Sequence, residues 1–259
     1  MKGYYVHVDK APNFEAKVTF YQNITTTISI YRDSTTSGTG RIRVQRHQAG
    51  KGFSAVLAGL VDKYQEVEFY GPLDRVAIVF YPGGINHFIR VALGSLLERH
   101  YSLFTYFEAE FDHLLPQVYE TPDLETKRDL LDTFLMEQFQ PLDEPELYQA
   151  IDLLQQADPM YKVADLAEKL ELSRRTLLRK FKKHLGYSVE EYTSVIKFRR
   201  ALLSYQQQQQ APDLSSIAYD SRYYDQADFN HQLKARSGLT PRALFAQLNI
   251  VDDTLFWKI

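Results

Sequence analysis

The sequence predicts an α+β chain: an N-terminal β-rich domain with trailing helices, then an all-α domain in which a long helix joins two helix-turn-helix units. Three observations carry this reading. Apolar residues recur at period two through much of the first 81 residues, and from about Asn86 they recur at helical spacing. The charge also changes sign along the chain. Residues 1–159 hold 14 Lys+Arg against 22 Asp+Glu, a net of −8, whereas residues 160–249 hold 15 against 9, a net of +6.

The whole chain has 259 residues, a net charge of −3, 44% apolar and 24% charged residues. That is ordinary for a folded protein of about two domains. With no apolar run of about 18 residues, no membrane span is expected. Met1 to Lys10 has neither an apolar core nor a cleavage-type site, so no signal peptide is expected. Cysteine is absent. That excludes a disulfide framework, thiolate zinc sites and cysteine nucleophiles, and it fits a cytoplasmic chain.

Ile24, Thr26, Ile28 and Ile30 alternate with Thr25, Thr27, Ser29 and Tyr31, a β-branched strand. Ser34 to Gly40 reads as a flexible loop. Arg41 to Arg46 alternates again, and Phe53–Leu60, Glu66–Tyr70 and Arg75–Tyr81 follow before the turn Pro82-Gly83-Gly84. Beyond Asn86, Phe88, Val91, Ala92, Leu96 and Leu97 form one helical stripe. A second helix is expected from Thr121-Pro122, with Leu124, Leu131, Leu135 and Phe139 on one face. A third is expected from Asp143-Glu144-Pro145 through Leu147, Ile151 and Leu154 to about Ala157, and Asp158-Pro159 closes the domain. The expected domains are thus 1–157, 160–249 and a tail, 250–259.

This half carries little recognisable chemistry. Gly38-Thr-Gly40 lacks the rest of a dinucleotide fingerprint, and no serine sits in a nucleophile elbow. His87, His100 and His113 recur every 13 residues, a rotation of about 220° per step, so one helix would not align them. Neither a metal nor a cofactor is expected, and no catalytic residue is assigned.

The back half is more specific. Val163 to Leu170 is a short amphipathic helix, Glu171-Leu172 a tight turn, and Ser173 a cap for the next helix, which Gly186 stops. On a helical wheel from Leu177, the residues Leu177, Phe181, Leu185 and Leu178 share one side, and Arg175, Thr176, Arg179, Lys182 and Lys183 the other. A short helix, a tight turn and a basic-faced helix is how a major-groove reader is built. A merely solvated basic face is the plain alternative. Ser188 caps a long helix to about Tyr205, with the glutamines 206–210 fraying from its end. A second pair of helices follows. Leu214 to Asp220 comes first, Ser221 to Tyr224 make the turn, and Asp225 caps the next helix with Asp228 as its capping-box partner. Phe229 and Leu233 face inward there, Ala227, His231 and Lys234 outward, and Asn230 flanks them. Gly238 ends that helix, and Thr240-Pro241 opens a last one.

These residues resemble the AraC/XylS-type DNA-binding domain over about Lys162 to Phe245. Leu166-Ala167, Ser173, Leu177, Arg179, Phe181-Lys182, Gly186, Ser188 and Tyr192 carry the first half of the resemblance. Arg199, Ala201, Ile217-Ala218, Tyr223, Asp225-Gln226, Phe229, Lys234, Gly238 and Thr240-Pro241 carry the second. The resemblance implies two recognition helices in successive major-groove segments, and control of transcription. It carries the family's reading positions onto Arg175, Leu178 and Arg179 in the first helix-turn-helix and onto Gln226, Ala227, Asp228, Asn230 and His231 in the second, and of these Arg175, Arg179, Gln226, Asn230 and His231 are expected to read bases. Arg174, Thr176, Lys182, Lys183 and Lys234 are then expected on the DNA backbone. Three residues depart from the family pattern: Arg222 stands where the turn has glycine, Val189 replaces proline, and Leu233 replaces phenylalanine. More weakly, Val76 to Gly84 with Phe88 resembles N-terminal sensing or dimerisation domains of that family, which name no ligand.

Double-stranded DNA is the expected partner. A small-molecule effector, RNA polymerase and a second copy of the chain are further ones, and a membrane is not. A DNA-binding regulator without a ligand, and an enzyme with a nucleic-acid-anchoring tail, are the rival readings.

Overall fold

The computed structural model describes residues 1–59, 63–97, 101–156, 161–207, 213–247, 249–252 and 255–258. His100, Asp158-Pro159 and the glutamines after Gln207 lie outside them. The chain forms two compact units. The first holds Met1–Ala16, Thr25–Gly59 and Val67–Asp143, and the second Lys17–Ile24, Leu60–Glu66 and Glu144–Ile259.

Among the described residues nine strands precede the long helices: β1 (Gly3–Asp9), β2 (Glu15–Phe20), β3 (Thr26–Arg32), β4 (Ser34–Thr39), β5 (Ile42–His47), β6 (Phe53–Ala58), β7 (Gln65–Tyr70), β8 (Leu73–Phe80) and β9 (Ser102–Leu103). In the first unit, one antiparallel sheet runs β1-β8-β3-β6-β9. A second has β5 between β4 and β7. Ile28, Ile30, Leu57, Val76, Ile78 and Phe80 leave the first sheet on one face. They pack against Phe107, Phe111, Leu115, Leu131 and Phe134, from the segment ahead of α2 and from α2 and α3 themselves. These helices are α2 (Glu108–Glu120) and α3 (Leu124–Gln138), which follow the one-turn α1 (Leu93–Leu96).

Several sequence expectations need correction here. Ser34 to Thr39 is a strand rather than a loop, because its hydroxyls bond across to β5. Thr36 Oγ1 donates to Gln45 Oε1 at 2.8 Å, Gln45 Nε2 to Ser34 Oγ at 2.8 Å, and Ser34 Oγ to the Arg46 carbonyl at 3.1 Å. No continuous helix runs from Asn86. A 3₁₀ turn, Gly84–His87, precedes α1, and Val91 of the supposed stripe is exposed while Ile89 and Leu93 are buried. The cap of α3 is Asp123, whose carboxylate accepts from the Thr126 N–H at 2.7 Å, not Thr121-Pro122. Phe139 and Leu124 are exposed rather than on its buried face.

The second unit contains α4 (Pro145–Gln156), α5 (Val163–Lys169), α6 (Arg174–Leu185), α7 (Val189–Gln207), α8 (Leu214–Asp220), α9 (Gln226–Ser237) and α10 (Pro241–Phe245). Helix α4, expected as the tail of the first domain, belongs here instead. Its Leu147, Ala150, Ile151 and Leu154 are buried with Leu166, Leu170, Leu177, Phe181 and Val195. A second core gathers Phe198, Leu202, Ile217, Phe229, Leu233 and Leu244, together with Tyr21 from near the start of the chain. The expected tail is also ordered in part. The strands β10 (Asn249–Asp252) and β11 (Leu255–Lys258) pair with each other, and β11 pairs with Thr19 and Phe20 of β2. None of the described helices is long and apolar enough to cross a membrane.

Candidate nucleic-acid interface

The first helix-turn-helix is α5, a turn and α6. Leu170 ends α5, Glu171 takes the left-handed conformation at φ 54°, and the Leu172 N–H donates back to the Ala167 carbonyl at 2.9 Å. Ser173 then accepts from the Thr176 N–H at 3.1 Å, and Gly186, at φ 84°, ends α6 with its N–H on the Lys182 carbonyl. The wheel sorts this helix correctly except at one residue. Leu177, Phe181 and Leu185 are buried, but Leu178 is 37% exposed and lies off the core. Arg174, Arg175, Arg179, Lys182 and Lys183 are all exposed. Two of the expected backbone contacts are already engaged. Lys182 Nζ donates to the Gly186 carbonyl at 2.9 Å, and the half-buried Thr176 hydroxyl lies 2.9 Å from Ser173 Oγ.

The opposite side of α6 is held by acids that sequence reasoning did not connect to it. Lys180 pairs with Glu144 and, at 3.1 Å, with Glu146, and His184 Nε2 lies 3.0 Å from Glu144 Oε1. Burial works against the Glu144 carboxylate, but Lys180 and His184 outweigh it and hold its pKa below the ordinary value. Burial lowers the His184 pKa, and Glu144 only partly opposes this. The cations of α6 are thus divided. Lys180 is spent on the scaffold, and the exposed ones face solvent. The signal in the sequence was the acidic pair beside Pro145, which read only as a helix start.

The second helix-turn-helix repeats the turn. Arg222 occupies the glycine position at φ 66°, and the Tyr223 N–H donates to the Ala218 carbonyl at 3.1 Å, the same long turn bond as in the first. Neither turn therefore uses glycine, and each places a side chain where L-residues are disfavoured by about 1–2 kcal/mol. Asp225 accepts from the Asp228 N–H at 2.7 Å, and the Asp228 carboxylate accepts from the Tyr224 N–H at 3.2 Å. Asp228 is thus a capping residue. Phe229 and Leu233 are fully buried, whereas Gln226, Ala227, Asn230, His231 and Lys234 are exposed. Tyr224, at the start of this helix, is 93% exposed.

Between α5, α7 and α9 lies an open cleft of about 550 Å³ lined in part by Lys162, Arg174, Lys197, Glu190 and Asp228. The first compact unit holds smaller cavities. One, of about 190 Å³, is lined by Phe53, Phe104, Phe111 and Leu115, with Glu108 and Asp112 also on its wall. Another, of about 200 Å³, lies near Arg32, His47 and Asp74.

A family model described as a helix-turn-helix domain matches residues 166–247. No curated protein matches the chain. Solved structures do. One is a transcriptional regulator with an AraC-type DNA-binding domain from Chromobacterium violaceum, at 26% identity over 40% of this chain and 91% of that one, with a TM-score of 0.36. Another is ToxT from Vibrio cholerae with a bound unsaturated fatty acid, at 13% identity over 95% of each chain and a TM-score of 0.49. A third is the C-terminal domain of AraT, a response regulator from Geobacillus stearothermophilus, at 22% identity over 42% of this chain and 90% of that one, with a TM-score of 0.38. Residues 166–247 are a helix-turn-helix domain.

Proposed function

We propose that the chain is a cytoplasmic, non-enzymatic regulator that reads DNA chiefly through its first helix-turn-helix. The observation that carries this is the exposed face of α6, where five cations stand clear of the acid-bound Lys180. Arg175 and Arg179 take guanine edges, for which the guanidinium fork is suited. Arg174, Lys182, Lys183, Thr176 and Lys234 hold the backbone, with Lys182 first giving up its bond to Gly186. Gln226, Asn230 and His231 tune sequence choice, the two amides through adenine. The first compact unit senses a small molecule or pairs with a second copy, and RNA polymerase is the downstream partner.

The test is a titration of the purified protein against its own upstream DNA and a scrambled duplex, at two salt concentrations. Tight binding to one duplex, weakening steeply with salt, is expected. Arg179→Ala is expected to weaken binding by about 1–3 kcal/mol and Asn230→Ala to change base preference with less loss. Equal losses would refute the asymmetry, and no binding at low salt would refute the reading itself.

A further inference from the structure

The open cleft of about 550 Å³ draws its walls from both helix-turn-helix units. Lys162 and Arg174 come from the first, and Tyr223, Asp228 and Gln232 from the second. The long helix α7 between them contributes Glu190, Thr193, Ser194 and Lys197. Steps of three, one and three residues keep these four on one side of that helix. Its Tyr192, Val195, Ile196 and Phe198 turn into the cores instead.

The charges lining the cleft are not matched to one another. Lys162 and Arg174 are exposed and Lys197 is half-buried, and among the described residues none of the three pairs with a carboxylate. The two carboxylates sit in the first turns of their helices, Glu190 in α7 and Asp228 in α9, where backbone N–H groups favour negative charge. Asp228 also accepts from the Tyr224 N–H at 3.2 Å. The fold thus accounts for the acids and leaves the cations over.

Tyr223 adds an independent observation. It is 9% exposed, and its hydroxyl is buried with no hydrogen-bond partner among the described residues. An unpaired buried donor is costly, and phenylalanine would fill the same place without that cost. The ring lies edge-on to Phe229, 5.3 Å between centroids, and the Lys197 ammonium lies 6.0 Å from its centroid. Burial raises the phenol pKa and Arg236 only partly opposes this, so the hydroxyl stays protonated near neutrality. Arg236 is itself engaged, donating to Ser194 Oγ at 3.1 Å.

Spare cations beside a spare neutral donor suit a phosphate, which lysine neutralises and a hydroxyl helps to position. The cleft is open, whereas a small-molecule pocket buries most of its ligand. A duplex lying along α6 and α9 also has to pass it, because Arg174 opens α6 and Gln232 lies on α9. We propose that the cleft seats the DNA backbone where it crosses between the two major-groove segments, with Lys162 and Lys197 on phosphates beside Arg174 and the Tyr223 hydroxyl donating to a phosphate oxygen. The proposal rests on the DNA reading above and adds three residues to it. The two lysines steepen the salt slope by about 1.8 beyond the contacts already assigned, and the neutral hydroxyl adds affinity without slope.

The test is a salt titration of the full-length protein on labelled upstream and scrambled duplexes. Lys162→Gln and Lys197→Gln are each expected to make the slope shallower by about 0.9 on both duplexes, so that the loss between 50 and 200 mM salt shrinks about 3.5-fold. Tyr223→Phe is expected to weaken binding to both by about tenfold at unchanged slope. Without DNA, its melting midpoint should be no lower than that of the unmutated protein, since the hydroxyl has no bond to lose there. Sodium phosphate should shift the midpoint of the free protein no more than sodium chloride does at equal ionic strength. The proposal is overturned if either lysine variant keeps the unmutated slope, or if Tyr223→Phe binds as the unmutated protein does. A saturable rise in midpoint with phosphate that Lys197→Gln removes also overturns it, and assigns the cleft to a free anion. Binding by the unmutated protein separates this proposal from the reading beneath it. Tight, sequence-dependent binding with unchanged slopes in the lysine variants removes the cleft contacts and keeps the regulator. No binding at low salt removes both.

Discussion

The salt dependence of DNA binding can be worked out from the side chains of α6 and α9. Four exposed residues are aimed at phosphates in the proposed complex: Arg174, Lys182, Lys183 and Lys234. Each phosphate neutralised contributes about −0.9 to the slope of log K against log salt. Four contacts give a slope of about −3.6, and three give about −2.7 if Lys182 stays on the Gly186 carbonyl. Between 50 and 200 mM salt, the four-contact slope corresponds to a loss of about 150-fold in affinity. The assay is a fluorescence-anisotropy titration of a labelled operator duplex at four or five salt concentrations. Lys183→Ala should make the slope shallower by about 0.9 on specific and scrambled duplexes alike. Arg179→Ala should lower affinity for the specific duplex far more than for the scrambled one. A slope shallower than about −2, or one that Lys183→Ala leaves unchanged, refutes the backbone assignments on α6.

Two further outcomes follow from the scaffold. Glu171→Gly removes left-handed strain worth about 1–2 kcal/mol at a cost in unfolded-chain entropy of about 0.5–1 kcal/mol. Thermal melting should therefore show a net gain of about 1 kcal/mol, with DNA affinity unchanged. Acid should loosen the second unit. The Glu144 pKa is lowered in the fold, so its contribution is complete above its ordinary 4.5 and is lost as pH falls through the folded value. The His184 pKa is lowered from 6.5, so the unfolded chain takes up that proton first and the same direction applies from about neutrality downward. Chemical denaturation from pH 7 to pH 4 should show falling stability, and Glu144→Gln should flatten the lower part of that curve.

The back half was legible because its signals are local. Ser173, Asp225 and Thr240 are caps three residues from the N–H they accept, and Gly186 and Gly238 stop helices by their own backbone freedom. The alternation of Leu177, Phe181 and Leu185 with arginines and lysines needs only the helical repeat. What failed was non-local. The loop read at Ser34 to Gly40 becomes a strand only because Gln45 and Arg46 lie across from it. The alternation of β5 was visible, but its phase was not, since period two does not say which side is inside. The assignment of α4 to the first domain failed for the same reason. Its apolar stripe was plain, but its partners lie beyond residue 160.

The sharpest case of non-local dependence is Tyr21. It lies far from the second helix-turn-helix in sequence, yet it is 7% exposed and its ring centroid is 6.1 Å from that of Phe198 in the core beneath α8 and α9. Its neighbours tie the same region. Gln22 Nε2 and the Tyr64 N–H both donate to the Arg236 carbonyl at the end of α9, at 3.4 and 3.1 Å. Helix α9 cannot be held by its own pattern alone, since it buries just Phe229, Leu233 and Ser237. Part of its packing therefore comes from Tyr21, Gln22 and Tyr64. Truncating a buried aromatic costs about 3–5 kcal/mol, and Tyr21→Ala, near the surface of this core, should cost about 3 kcal/mol. Hydrogen exchange can locate that loss. Amides of α8 and α9 should lose protection while those of α5 and α6, built on the other core, keep theirs. Equal loss across all four helices would mean that the two helix-turn-helix units unfold as one body. The N-terminal segment would then have no selective hold on the second.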